Sequence, residues 1–152
     1  AILVYISYRA ANPSTFSPCQ WSGQDGKLFQ GSCSMGWYSS NGSCFKYIAM
    51  LSQKDNLASV HYLDKHYIIN NLIKSYDPAE SLTWIGLSDI HKEGRWMWSD
   101  GSQVEFIHWN REQPDIDQDT EDCVLINWPG GMQWNDLTCS NLLAFVCAKR
   151  LN

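Results

Sequence analysis

The chain has 152 residues, enough for one domain that buries about 68–70% of its unfolded surface. Hydrophobic residues make up 44% and charged residues 18%, which excludes a disordered or acidic-tail protein, and the unbroken apolar runs fall far short of the ~20 residues of a membrane span. Lys and Arg (11) are outnumbered by Asp and Glu (16), giving a net charge of −5, a balance that disfavours nucleic acid and anionic membranes, which are bound through clustered cations.

Residues 1–31 hold Pro13, Pro18, Gly23, Gly26 and Gly31 with little periodicity, and are read as a partly irregular N-terminal extension. Its first residues, Ala1 to Tyr8, lack a basic start and are too short for a whole signal peptide; a processed start, an edge strand and the tail of a cleaved segment all fit. The organised domain is expected over 32–152. Cys33 and Cys44 flank Trp37-Tyr38 and a Ser-Ser-Asn-Gly-Ser turn, a hairpin pattern whose ends a short disulfide can staple. Asn41-Gly42-Ser43 in that turn is the one Asn-x-Ser/Thr acceptor without an intervening proline.

From Tyr62 to Lys74 the residues Leu63, Tyr67, Ile68, Leu72 and Ile73 form a helical stripe, which Asp77-Pro78 ends. Short runs follow at Leu82 to Leu87, Arg95 to Trp98, Val104 to Trp109, Cys123 to Trp128 and Leu143 to Cys147. They read as strands divided by long loops, without the alternation of a βαβ fold. Six cysteines with no Cys-x-x-Cys pair point to disulfides formed in an oxidising compartment, hence to a secreted chain.

The segment Glu112 to Asp122 carries Glu112, Asp115, Asp117, Asp119, Glu121 and Asp122 and no base, and Asn135-Asp136 follows. Carboxylates mixed with amide carbonyls suit a hard cation that takes about six to eight oxygen ligands, calcium above magnesium because the ligands come from loops. A merely solvated acidic loop has the same composition. Catalytic motifs are missing: there is no Gly-x-Ser-x-Gly elbow, no phosphate-cradling loop and no His-Glu-x-x-His, and His61, His66, His91 and His108 are scattered. His66 in the helical stripe and His108 beside Trp109 read as structural histidines, so the chain is not expected to be an enzyme.

In order and spacing, Leu57-Ala58-Ser59-Val60, Trp84-Ile85-Gly86-Leu87, the Gly94-to-Gly101 run with Trp98, Gln113-Pro114-Asp115, Glu121-Asp122-Cys123, Trp134-Asn135-Asp136, Cys139 and Phe145-Val146-Cys147 resemble the C-type lectin domain over residues 33–149. The resemblance implies an α+β fold with long loops, stapled by disulfides around a calcium site. Its calcium ligands would be Gln113, Asp115, Glu121, Asn135 and Asp136, with the Asp136 carbonyl, and two vicinal sugar hydroxyls would complete the shell. Gln113, Asp115, Glu121 and Asn135 would also hydrogen-bond the sugar. The Gln-Pro-Asp order is the one the family associates with galactose-type sugars, and the family implies a cis Gln113-Pro114 bond.

This sequence departs from the family in three places. The aromatic ring that galactose readers carry after Gln-Pro-Asp is replaced by Ile116 and Asp117, leaving Trp128 as the ring to stack on the sugar. Asp89, Glu93 and Asp122 match an accessory calcium site, but Ile116 stands where a fourth polar ligand belongs, so that site is expected to be weak. Only twelve residues separate Cys44 from Leu57, which implies a truncated first helix, and Met50 falls where the family has the cysteine that pairs with Cys147. With Cys33 joined to Cys44 and Cys123 to Cys139, the expectation is that the extension folds back to bridge Cys19 to Cys147.

The resemblance therefore implies a secreted lectin using Ca2+ to bind a galactose-type glycan, with copies acting together as a homo-oligomer for avidity. Fish type II antifreeze proteins share the fold and make ice the alternative target, for which Thr120 and Thr138 flank the calcium loop. A third possibility, recognition of protein partners, normally goes with lost calcium ligands, and all five are present.

Overall fold

Three apolar runs without polar alternation form strands buried on both faces. The computed structural model describes residues 33, 38–51, 57–115 and 120–150. Within them, β3 (Thr83–Ser88), β5 (Cys123–Ile126) and β7 (Leu143–Arg150) lie in the middle of one sheet, joined by β1 (Tyr38–Ser40), β2 (Ser43–Leu51), β4 (Met97–Trp98) and β6 (Asn135–Leu137). The strand path is β1-β2-β7-β3-β5-β6, with β4 paired to β3. Pairing is antiparallel except between β3 and β7, where Thr83 faces Ala144 and Trp84 faces Phe145 in parallel register.

Because successive side chains leave a strand on opposite faces, the central strands feed two apolar clusters. Ile85, Leu87, Val124, Ile126 and Val146 enter the larger one with Phe45, Trp98 and Trp134. Trp84, Cys123, Leu125, Phe145 and Cys147 enter the smaller one with Leu57. Gly86 is required between them: a Cβ there would lie 2.7 Å from both the Leu57 carbonyl oxygen and Ser99 Oγ. Its backbone instead accepts the approach, donating to the Ala58 carbonyl at 3.0 Å while its own carbonyl receives the Ser99 N–H at 2.7 Å.

One helix, α1 (Leu63–Tyr76), is present among the described residues and covers the larger cluster. It ends where proline restricts the preceding residue, with the Asp77 N–H donating to the Ile73 carbonyl at 2.7 Å. Its buried stripe differs from the expected one. Leu63 and Tyr67 are exposed, and the buried positions are His66, Ile69, Asn70, Leu72 and Ile73. His66 and Asn70 turn inward because they bond each other and the His66 ring accepts from the Trp134 indole.

The run Val104 to Trp109 alternates half-buried and exposed residues as a strand would, but its backbone makes only an isolated bridge, Trp109 to Trp134. Strand periodicity is present there without a ladder to pair with. Strand β2 continues to Leu51 and carries Met50, so strand occupies part of the stretch where the resemblance places the first helix. Disulfides Cys33–Cys44 and Cys123–Cys139 are closed. Cys147 is also disulfide-bonded. The expectations for residues 1–31, for Cys19 and for Ile116 and Asp117 lie outside the described residues. No helix among the described residues is long and apolar enough to cross a membrane.

Candidate functional site

The site is built on the last strand of the path. In β6, Asn135 pairs with Leu125 and Asp136 with Val124 of β5, which fixes both polar residues at the floor, almost fully buried. The Cys123–Cys139 bridge ties the start of β5 to the chain just beyond β6, so Glu121 is held near Asp136.

A backbone clamp brings in the loop. Trp134 N–H donates to the His108 carbonyl at 2.9 Å, and Asn110 N–H donates to the Trp134 carbonyl at 2.8 Å. From there the loop turns sharply: Gln113 N–H returns to the Asn110 carbonyl at 3.1 Å, Glu112 has φ of 66°, and Gln113-Pro114 is cis. Gln113 and Asp115 bond each other, Gln113 Nε2 donating to Asp115 Oδ2 at 3.0 Å and Asp115 N–H to Gln113 Oε1 at 3.1 Å.

Carboxylate oxygens of Asp115, Glu121 and Asp136 then lie within 4.8 Å of one another. The floor has unused acceptors. Asn135 Oδ1 and Asp136 Oδ1 are buried without a hydrogen-bond partner, although Asn135 Nδ2 donates to the Asp136 carbonyl at 2.6 Å. Buried oxygens without donors are costly unless a cation or water satisfies them. Burial, reinforced by the charges of Asp115 and Asp89, pushes the Asp136 carboxyl up to about 6. All the donors are oxygens, clustered and net negative, which is the chemistry of a hard divalent cation. Gln113 and Asp115 form the open rim and the Asn135-Asp136 pair the closed floor.

A second carboxylate group, Asp89, Glu93 and Asp122, is also within 4.8 Å. Gly94 N–H donates to Asp89 Oδ2 at 2.8 Å, while Asp89 Oδ1 is buried and unpartnered. Burial, with the Asp122 charge, raises the Asp89 carboxyl above its ordinary range.

Trp128 is half-buried and packs on the smaller apolar cluster, as Leu82, Leu137 and Leu143 do. What the sequence reading did not single out is the clamp of His108, Asn110 and Trp134. The signal for it was the period-two run ending at Trp109, four residues before Gln113.

A family model, the lectin C-type domain, matches residues 33–149. The chain belongs to the C-type lectin domain family. Among relatives of this C-type lectin domain, the type-2 ice-structuring protein of Osmerus mordax is 35% identical over 153 residues, covering 93% of this chain and 84% of that protein. The galactose-specific lectin nattectin of Thalassophryne nattereri is 34% identical over 131 residues, covering 79% of this chain and 82% of that protein. The solved structure of herring type II antifreeze protein superimposes with a TM-score of 0.71 at 30% identity, covering 79% of this chain and all (100%) of that one.

Proposed function

We propose that this C-type lectin domain is a secreted, calcium-dependent carbohydrate-binding protein whose principal site takes a galactose-type sugar. The observation that carries the reading is the pair of buried, unpartnered oxygens, Asn135 Oδ1 and Asp136 Oδ1, beside the Asp115 and Glu121 carboxylates. Gln113, Asp115, Glu121, Asn135 and Asp136 would hold the ion. When bound, calcium supplies open coordination for two vicinal hydroxyl oxygens.

The chain's own groups orient the sugar. Carboxylates of Asp115 and Glu121 accept hydroxyl protons, and the Gln113 and Asn135 amides donate N–H to hydroxyl oxygens. The Gln113–Asp115 hydrogen bonds hold these two side chains in fixed relation before a sugar arrives. The order amide then acid along Gln113-Pro114-Asp115 supports galactose over mannose. Asp89, Glu93 and Asp122 would hold a weaker accessory calcium. No catalytic step is assigned: a carboxylate engaged with a cation is a poor proton donor. One sugar per chain binds weakly, so several copies acting together supply avidity.

Retention of the full chain on immobilised galactose but not mannose, abolished by a chelator and restored by calcium, is the expected result. Equal retention with chelator present would overturn the reading. A second reading, ice binding, draws on the 35% identity to the ice-structuring protein over most of the chain. Freezing hysteresis measured on the same preparation separates the two.

A further inference from the structure

Strands β1 and β2 are joined by two residues, Asn41 and Gly42, between the paired Ser40 and Ser43. Both have positive φ, 45° and 71°, the left-handed pair of a type I′ hairpin turn that Asn-Gly satisfies at low cost. The turn therefore holds Asn41 at the tip of the hairpin, exposed, with Gly42 exposed beside it and Ser43 at the first position of β2. Asn41-Gly42-Ser43 is an acceptor sequence for N-linked saccharide. The calcium site makes no use of it.

We propose that Asn41 is a glycosylation site of this protein, carrying one N-linked glycan. In the transfer, a bond forms between Asn41 Nδ2 and the anomeric carbon of the saccharide. The bond from that carbon to the phosphate oxygen of a polyisoprenyl-diphosphate donor breaks, the diphosphate leaves, and Nδ2 gives up one proton; nothing is oxidised or reduced. Two features of the fold suit the product. The tip offers open space, since a Cβ built on Gly42 meets nothing within 4 Å. In addition, β1 ends the strand path on one side and β6 on the other, with β2, β7, β3 and β5 between them. A saccharide on Asn41 thus hangs at the edge remote from Asn135 and Asp136 and leaves the proposed sugar site open.

The test is made on the full chain directed into the secretory pathway of a eukaryotic host and collected from the medium. Enzymatic removal of N-glycans in heavy-oxygen water is expected to lower its mass by one discrete step and to leave labelled aspartate at position 41. Asn41→Gln should abolish the step. Because glutamine is less at ease with positive φ, Ser43→Ala is the second variant: it preserves the Asn-Gly turn and should abolish the step equally. An unmodified Asn41 peptide from the secreted chain, aspartate there without label, or a mass step that survives Ser43→Ala would overturn the proposal. Calcium-dependent retention on galactose is read separately and is expected to be unchanged in Ser43→Ala, so failure of the glycan and failure of the lectin reading are distinguishable.

Discussion

The indole Nε1–H of Trp134 donates to Nδ1 of His66 across 3.2 Å in the buried larger cluster. With Nδ1 occupied as an acceptor, the ring proton belongs on Nε2, 3.0 Å from the Asn70 amide. Turned to present its oxygen, that amide accepts the proton, and a neutral histidine is satisfied on both sides. The His108 ring packs against His66 at 4.5 Å between centroids. Since the same Trp134 backbone clamps the Asn110 loop, the core histidine and the loop carrying Gln113 and Asp115 share one anchor.

Acid should therefore weaken the fold through His66. Burial, with the neighbouring His108, lowers the His66 ring to about 4, whereas an unfolded histidine titrates near 6.5. Between those values the unfolded chain binds the proton and the folded chain does not. The stabilisation is complete above about 6.5 and is lost as pH falls towards about 4, with a magnitude of at most about 3 kcal/mol. An NMR titration should show the His66 ring still neutral at pH 5, and melting curves of His66→Gln should be flatter with pH over that range than those of the parent.

Asp115→Ala should remove calcium-induced stabilisation without unfolding the protein. Asp115 is exposed on the rim, where its side chain accepts a hydrogen bond from Gln113 Nε2. In the parent, calcium at about a hundred times its dissociation constant adds about 2.7 kcal/mol, and that increment should disappear in the variant. Thermal melts with and without calcium check it, together with loss of retention on galactose. A variant that melts like the parent in both conditions would exclude Asp115 as a ligand.

Calcium affinity should fall in mild acid. The Asp136 carboxyl, raised to about 6 by burial and by neighbouring acids, holds its proton in the ion-free fold below that value. The sign for the ion-free protein is the reverse of the histidine's. Protonation relieves a buried charge, so this group adds stability as pH falls from about 6 towards 3.8. A cation must displace that proton, and its apparent affinity should be constant above about 6 and drop about tenfold per pH unit below, for one proton released. Calcium titrations at several pH values give the slope directly.

Cys147 is wholly buried and disulfide-bonded. The expected partner is Cys19, because Met50 stands where the family's cysteine would be. Peptide mapping without reduction should recover the two in one linked peptide from a single chain. A bridge closing so long a loop contributes about 4–5 kcal/mol on the chain-entropy account. A Cys147 peptide linked across two chains would overturn the assignment.

Much of this was legible in the residues. Unalternating runs such as Trp84-Ile85-Gly86-Leu87 and Cys123 to Ile126 read as strands because burial on both faces leaves no polar side to reveal alternation. Asp115, Glu121 and Asp136 were nameable because oxygen donors in that order match the family, and the fold brings them within 4.8 Å. What periodicity misjudged was the rotation of α1. Leu63 and Tyr67 looked like core by hydrophobicity, but the inward face belongs to His66 and Asn70, whose burial depends on Trp134, 68 residues away from His66 in the chain.

Gly86→Ala is the sharpest test of the packing. The methyl group would meet the Leu57 carbonyl oxygen and Ser99 Oγ, each at 2.7 Å. The serine can rotate away, at the cost of its hydrogen bond to the same carbonyl, 3.3 Å long. The Leu57 backbone cannot move as freely, because Ala58 N–H is bonded to the Val146 carbonyl at 2.7 Å and Leu57 bridges to Cys147. Relief therefore requires β3 and the Leu57-Ala58 segment to separate, stretching the Gly86-to-Ala58 hydrogen bond. Overpacking of this kind costs about 1–3 kcal/mol, and denaturant titration should show a lower midpoint with an unchanged slope. The candidate metal site is built on β5 and β6, so calcium affinity measured well below the melting temperature should stay within about twofold of the parent, distant sites being nearly additive. A midpoint equal to that of the parent would mean that the close approach at Gly86 does not constrain the packing of β3 on the Leu57-Ala58 segment.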